Sequence, residues 1–219
     1  MSGCCRPGDF DGVFTTASSA DDARQYRRRG LTGEAKRIVG IAREHGIGGR
    51  SVLEVGGGVG AIQIELLRAG AAETTNVELS TVYEQDADRL FDEAGLSGRT
   101  TRRVADFVDE AEQVPLADVV ILQRVVCCYP DAAALVGKAA AHARELLVLT
   151  FPVDRFWAPL AAAAINIGPR LRRSRFRFFV HRTRSVTVAA EGAGMSLAER
   201  DVGVFWQLLV FDRASAQPR

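Results

Sequence analysis

Residues 53–60 read Leu53-Glu54-Val55-Gly56-Gly57-Gly58-Val59-Gly60, a carboxylate two positions ahead of a glycine cluster. Glycines let the backbone turn tightly and leave room for a ligand against the main chain. A carboxylate there can receive the ammonium group of an amino-acid ligand and would repel a pyrophosphate. Two more acids follow at useful intervals. Glu78, with Leu79 beside it, stands where an acid accepts both hydroxyls of a ribose. Asp106-Phe107 offers a carboxylate for an adenine amino group and a ring to cover the base. The same glycines also fit the dinucleotide pattern Gly56-x-Gly58-x-x-Ala61, which keeps a nicotinamide or flavin ligand open.

A second stretch, Gln123-Arg124-Val125-Val126-Cys127-Cys128-Tyr129-Pro130-Asp131, sets two cysteines side by side. The other two of the four cysteines, Cys4 and Cys5, are also adjacent. The two pairs could converge on a soft metal ion or a thiophilic ligand such as arsenite. Alternatively, Cys127 and Cys128 are small apolar groups packed after a buried strand. No Cys-x-x-Cys spacing occurs, so the usual zinc signature is missing and no metal site is expected.

These residues need a scaffold. A chain of 219 residues can bury an adequate core as one domain. With 25% charged residues, 47% apolar residues and a net charge of +1, nothing in the bulk composition draws it to nucleic acid or membrane. No long apolar run or leader-like block stands at the start, so a cytoplasmic location is expected. Residues 1–34 read as an arm carrying one helix with arginines in its last turn, stopped by Gly30. A second helix with an apolar face leads to Gly46. From residue 51, strand-like and helical segments alternate, and 117–126 and 146–151 are apolar runs typical of strands buried on both faces. That alternation predicts an α/β fold, a doubly wound seven-stranded sheet. Residues 152–185 form a lid insertion after the fifth strand. In such sheets ligands sit at the carboxyl ends of the strands near the switch point, where Glu54, Glu78, Asp106 and Gln123 all fall.

The Glu-x-Gly-x-Gly-x-Gly run, then Glu78, then Asp106, each after successive strands, resembles the class I S-adenosylmethionine (SAM) methyltransferases over about residues 35–151. That resemblance implies a Rossmann-like fold, SAM as cofactor and methyl transfer by in-line displacement. The cofactor-binding residues would be Glu54, Gly56, Gly58, Gly60, Glu78, Leu79, Asp106, Phe107 and Gln123. The segment after the fourth strand also looks like that of the magnesium-protoporphyrin methyltransferases, where Leu-Ile-His-Tyr-Pro stands. Further likenesses are Tyr26-Arg-Arg-Arg-Gly30, the fifth strand Leu146–Phe151 and Phe178-Phe-Val-His181. The family's His falls on Cys128 here, and its catalytic helix Tyr on Tyr26, so these two are the candidate catalytic groups.

The expected acceptor is a small molecule, acidic or apolar. A SAM-binding regulatory domain without turnover, or an RNA or protein methyltransferase, are the alternatives. The Asn/Asp-Pro-Pro-Tyr motif of many base methyltransferases is absent after the fourth strand. Seven arginines lie between Arg170 and Arg184, among Phe176, Phe178 and Phe179. They suit either a grip on an acidic substrate or RNA, or, preferably, the solvated face of a lid whose aromatics pack inward. Residues 156–168 are too short to span a bilayer and are expected to form a lid helix over an apolar substrate pocket, with no membrane contact. His45 and His142 read as surface groups.

Overall fold

The computed structural model describes residues 10, 12–171 and 174–213. The Cys4–Cys5 pair lies outside that range. Helices α1 (Thr16–Arg29) and α2 (Gly33–Glu44) precede the first strand, β1 (Ser51–Val55). Then come α3 (Ala61–Arg68), β2 (Glu73–Glu78), α4 (Glu84–Ala94), β3 (Thr100–Val104), the short α5 (Phe107–Glu110), β4 (Ala117–Gln123), α6 (Ala132–His142) and β5 (Ala143–Pro152). The insertion holds α7 (Ala158–Ile165) and α8 (Ile167–Leu171), and α9 (Thr183–Gly192), β6 (Ser196–Val202) and β7 (Trp206–Asp212) complete the order.

The seven strands run β3-β2-β1-β4-β5-β7-β6, parallel except for β7, which is antiparallel to both neighbours. This is the predicted doubly wound sheet. Alternate residues of the central strands supply two cores. Leu53, Val120, Leu122, Leu147, Leu149 and Phe211 pack beneath α6 and α9. Val52, Val119, Ile121, Val148 and Val210 pack beneath α2, α3 and α4. Because both faces are covered, these strands read as continuous apolar runs. Helix α6 stops at His142: Ala143 pairs with Ala117, so β5 begins three residues ahead of the apolar run at 146–151. His142 is no surface group. Its ring is half-buried, edge-on to Phe107, and bonds to the carbonyl of Ala111 at 2.9 Å.

The arm helix starts on a reciprocal cap, with Thr15 accepting from the Ser18 amide and Ser18 closing back on Thr15. It ends on Gly30 at φ 64°. At the centre of the sheet β1 and β4 are neighbours while their following helices go to opposite faces, which opens the crevice at their carboxyl ends. The glycine run fills that position.

Gly60 shows how tightly the run is seated. It caps α3 at φ 79°, and a Cβ there would lie 2.5 Å from Cε2 of the buried Phe91. Gly60→Ala is therefore expected to lower stability by about 1–3 kcal/mol through overpacking, with backbone strain adding to it. Chemical unfolding of Gly60→Ala, Phe91→Leu and the double variant checks this. The double variant should recover part of the loss, because the two changes share one clash.

Candidate functional site

Beneath the glycine run lies a buried polar lattice drawn from five elements, β1, α3, β2, α4 and β3. The Gly57 amide donates to Oδ1 of Asn76 (3.0 Å) and the Gly58 amide to Oε2 of Glu78 (3.0 Å). Arg102 donates to the Gly58 carbonyl (2.8 Å) and pairs with Glu84 (2.7 Å). Gln63, from α3, donates to Oε2 of Glu54 (2.9 Å). Glu78 uses its other oxygen for the amides of Leu79 (2.9 Å) and Ser80 (3.1 Å). A loop with few side chains of its own is thereby held by its neighbours.

Above the loop are two cavities. The smaller, about 160 Å³, is walled by Val55, Val77, Leu79, Ala105, Phe107, Val125 and Leu135, with Glu78 and Asp106 as its acids. The larger, about 460 Å³, includes Asp22, Tyr26, Glu34, Gln123 and the backbone of Gly56–Gly58. They share Phe14, Gly56, Gly58, Tyr83 and Arg124. Gly58 takes φ 53°, and a Cβ there would make an ordinary contact with the Tyr83 ring at 3.7 Å, so the backbone conformation and not the space calls for glycine.

The sequence-derived cofactor residues divide accordingly. Gly56, Gly58, Glu78, Leu79, Asp106 and Phe107 line the smaller cavity, and Gln123 lines the larger. Glu54 and Gly60 line neither. Glu54 is buried beneath Gly57, its carboxylate 2.7 Å from where a Gly57 Cβ would sit, so it supports the loop from behind and does not face an ammonium group directly. Asp106 caps α5 by accepting from the Val108 amide (2.8 Å), and the Tyr129 hydroxyl donates to its carboxylate (3.1 Å).

Of the two candidate catalytic groups, Tyr26 lines the larger cavity and Cys128 the smaller. The Tyr26 hydroxyl donates to Glu65 (2.7 Å) and accepts from Arg68 (3.2 Å), and burial with the Glu65 bond pushes its ionisation further up. Tyr26 therefore ties α1 to α3 and is no base near neutrality. Cys127 is buried, donates to the Arg124 carbonyl (3.2 Å), and packs inward as a small apolar group. Cys128 is partly exposed, its sulfur 3.8 Å from that of Cys127. The Cys128 bond and burial push the Cys127 thiol well up.

Sequence reasoning passed over several groups. Arg124 sits at φ 57°, in the left-handed region that a long side chain rarely adopts. Its amide bonds to the Thr150 hydroxyl (3.0 Å), and its guanidinium donates to Glu34 (2.6 Å) and lies 4.6 Å over the Trp206 ring. Phe10 and Phe14 from the arm meet Phe176 edge-on at 5.4 and 5.6 Å and roof the smaller cavity. From the insertion, Phe176 backs these two rings without lining either cavity itself. No residue of α7 lines either cavity, so the expected lid helix over the pocket is not what the insertion forms.

Residues 34–137 match the family model described as the O-methyltransferase domain. No curated protein sequence matches the chain. Among solved structures, magnesium protoporphyrin IX methyltransferase from Synechocystis PCC 6803, with bound SAH, superposes with a TM-score of 0.69 at 19% identity, over 94% of this chain and 97% of that one. An O-methyltransferase family protein from Burkholderia thailandensis gives 0.70 at 19% identity, over 92% of this chain and 61% of that one. An O-methyltransferase family 2 protein from Planctomyces limnophilus, in complex with apigenin, gives 0.63 at 18% identity, over 94% and 62%. The chain has the fold of the SAM-dependent methyltransferases, and nearly half of it matches the O-methyltransferase domain model. The likeness in fold to magnesium protoporphyrin IX methyltransferase extends over nearly the whole of both chains.

The buried Glu54 yields a prediction. Burial pushes its carboxyl up to about 7, against the pull of the Gln63 amide. The folded state thus holds this proton more tightly than the unfolded chain does. The stability it contributes is complete below the unfolded value near 4.5 and is lost as pH rises through about 7. The full effect is on the order of 3 kcal/mol. Glu54→Gln keeps the bond from Gln63 and cannot ionise, so its unfolding free energy should fall less between pH 5 and 8 than wild type. Urea titrations across that range provide the check, and parallel curves would show that Glu54 does not titrate there.

Proposed function

We propose that this enzyme transfers the methyl group of SAM to a small-molecule acceptor held in the larger cavity. The observation that carries this reading is the pair of cavities meeting at Gly56, Gly58, Tyr83 and Arg124. Glu78 and Leu79 suit the ribose and base, Asp106 and Phe107 the adenine end, and the Gly56–Gly58 backbone with Gln123 the amino-acid end. SAM supplies a methyl on a sulfonium, and an acceptor lone pair displaces it in line, the electrons of the broken bond staying on sulfur. Such a displacement needs little covalent help, so rate comes chiefly from proximity and orientation. Tyr26 and Arg124 fix the walls against which the acceptor lies, and Phe10 and Phe14, backed by Phe176, keep water from the donor side.

The similar structures carry planar ring systems in their names, a magnesium porphyrin in one and apigenin in another. A flat acceptor of moderate size, anchored by a polar or acidic edge near Arg124, agrees with a cavity walled by both apolar and charged groups. Methyl-labelled SAM incubated with the enzyme and separate pools of small molecules, RNA and protein tests this. Label is expected in the small-molecule pool. Label confined to RNA or protein, or none in any pool despite SAM binding, would overturn the reading.

Cys128 is proposed to take part from the donor side, since of the adjacent thiols Cys128 lines the smaller cavity and Cys127 does not. Single-turnover kinetics on Cys128→Ala and Cys128→Ser under reducing conditions separates chemistry from packing. A participating thiol predicts loss of turnover in both variants with SAM affinity retained. A wild-type rate in Cys128→Ala removes it from the mechanism.

A further inference from the structure

The face that α7 and α8 turn away from the cavities is unusual for a protein surface. Ala158, Ala162 and Asn166 recur every fourth residue on the buried side. Asn166 clamps the following segment, exchanging hydrogen bonds with the amide (2.7 Å) and carbonyl (2.8 Å) of Phe178. The outward side carries Phe156 (96% exposed), Leu160 (76%), Ile167 (56%) and Leu171 (80%), with Pro159, Ala163 and Ala164 between them. Val204 (79%) joins them on the β6–β7 turn, whose Phe205 packs against Trp157. Large contiguous apolar patches on a monomer mark interaction sites.

Charge identifies what covers this one. Between Asp154 and Glu191 the sequence has eight arginines and no Asp or Glu. Arg155 and Arg170 bracket the apolar face and are exposed, as are Arg182 and Arg184. None of these four takes part in an ion pair among the described residues. The chain as a whole is nearly neutral, at +1, so the positive charge is local to this segment. A second copy of the chain would bring two arginine-rich faces together, which like-charge repulsion opposes. Nucleic acid would meet the arginines but leave the Phe and Leu side chains in water. An anionic lipid surface satisfies both: apolar side chains enter the headgroup–acyl boundary while the flanking guanidinium groups reach lipid phosphates.

We propose that the α7–α8 segment docks the enzyme sideways onto an anionic membrane. Among the described residues no helix is long and apolar enough to cross a membrane, so the contact is lateral. This departs from the sequence expectation of no membrane contact, because only the fold reveals that the apolar side of α7 faces outward. The proposal does not depend on which acceptor is methylated.

The test is flotation of the full chain with vesicles of phosphatidylglycerol mixed with phosphatidylcholine, against pure phosphatidylcholine. Binding to the anionic vesicles is expected, weaker at high salt. It should fall by about ten-fold or more in Leu160→Glu/Leu171→Glu, which places charges on the inserting face. SAM affinity of that variant should equal wild type, showing an intact fold. Binding of the double variant equal to wild type, or no preference for anionic vesicles, overturns the proposal. So does sedimentation showing a wild-type dimer that the double variant converts to monomer, since the face would then be a contact between copies.

Discussion

Everything at the crevice rests on one costly arrangement, the burial of carboxylates beneath a loop of glycines. A main chain lacking side chains cannot pack itself, and its amides need partners once water is gone. Asn76 and Glu78 of β2, Gln63 of α3 and Arg102 of β3 provide those partners and bridges. Glu54 and Glu78 are both pushed toward their protonated forms by desolvation, more than the hydrogen bonds they accept pull them back. The same contacts hold the loop whose Gly56 and Gly58 line both cavities. Residual imperfection is visible: Nδ2 of Asn76 and Nη1 of Arg102 are buried without a partner among the described residues. Unsatisfied groups beside a ligand cavity agree with a site selected for its shape more than for stability.

The opposite wall stores strain in another way. Arg124 leaves β4 with a positive φ, a conformation that costs on the order of 1–3 kcal/mol for a residue with a side chain. Thr150 of β5 holds its amide, Glu34 at the start of α2 takes its guanidinium, and Trp206 of β7 supports that group from below. Three separate elements thus over-determine one residue. The turn redirects the chain so that Val125 and Cys128 reach the donor cavity while Val126 and Cys127 point into the core. The adjacent cysteines therefore part company: one is packing, the other is wall.

Much of this was legible in the sequence, for physical reasons. Continuous apolar strands such as 117–123 and 146–151 announce burial on both faces, and the glycine run and acids at successive strand ends announce the crevice. Legibility stopped where side-chain direction depends on tertiary packing. Glu54 precedes the glycines at the spacing of a ligand-facing acid, yet the pleat of β1 turns it under the loop toward Gln63. Tyr26 sits at the expected point of the arm, but its hydroxyl is committed to Glu65. The roof of Phe10 and Phe14, backed by Phe176, joins segments more than 160 residues apart, and no local pattern encodes that meeting. The apolar run of α7 was read correctly as a helix and wrongly as a pocket cover, since periodicity says which residues share a face but not where the face looks.

The charges around the two cavities also bear on turnover under the proposed reaction. Glu78 and Asp106 line the donor cavity and Glu54 lies behind it, while the one cation shared by both cavities, Arg124, is already paired with Glu34. The field at the donor side is therefore acidic, in a dry setting where charges interact more strongly than in water. Methyl transfer turns a sulfonium into a neutral thioether and so removes one positive charge from that field. Under that reaction the spent product keeps its ammonium, ribose and adenine contacts and loses only the attraction of the sulfonium to the carboxylates. A cationic donor also favours the ionised form of acids that burial alone pushes toward protonation, whereas its departure returns the cost of keeping them charged. The buried carboxylates that burden the empty fold would thus discriminate between substrate and product, and the lattice beneath the glycines would serve binding and release alike.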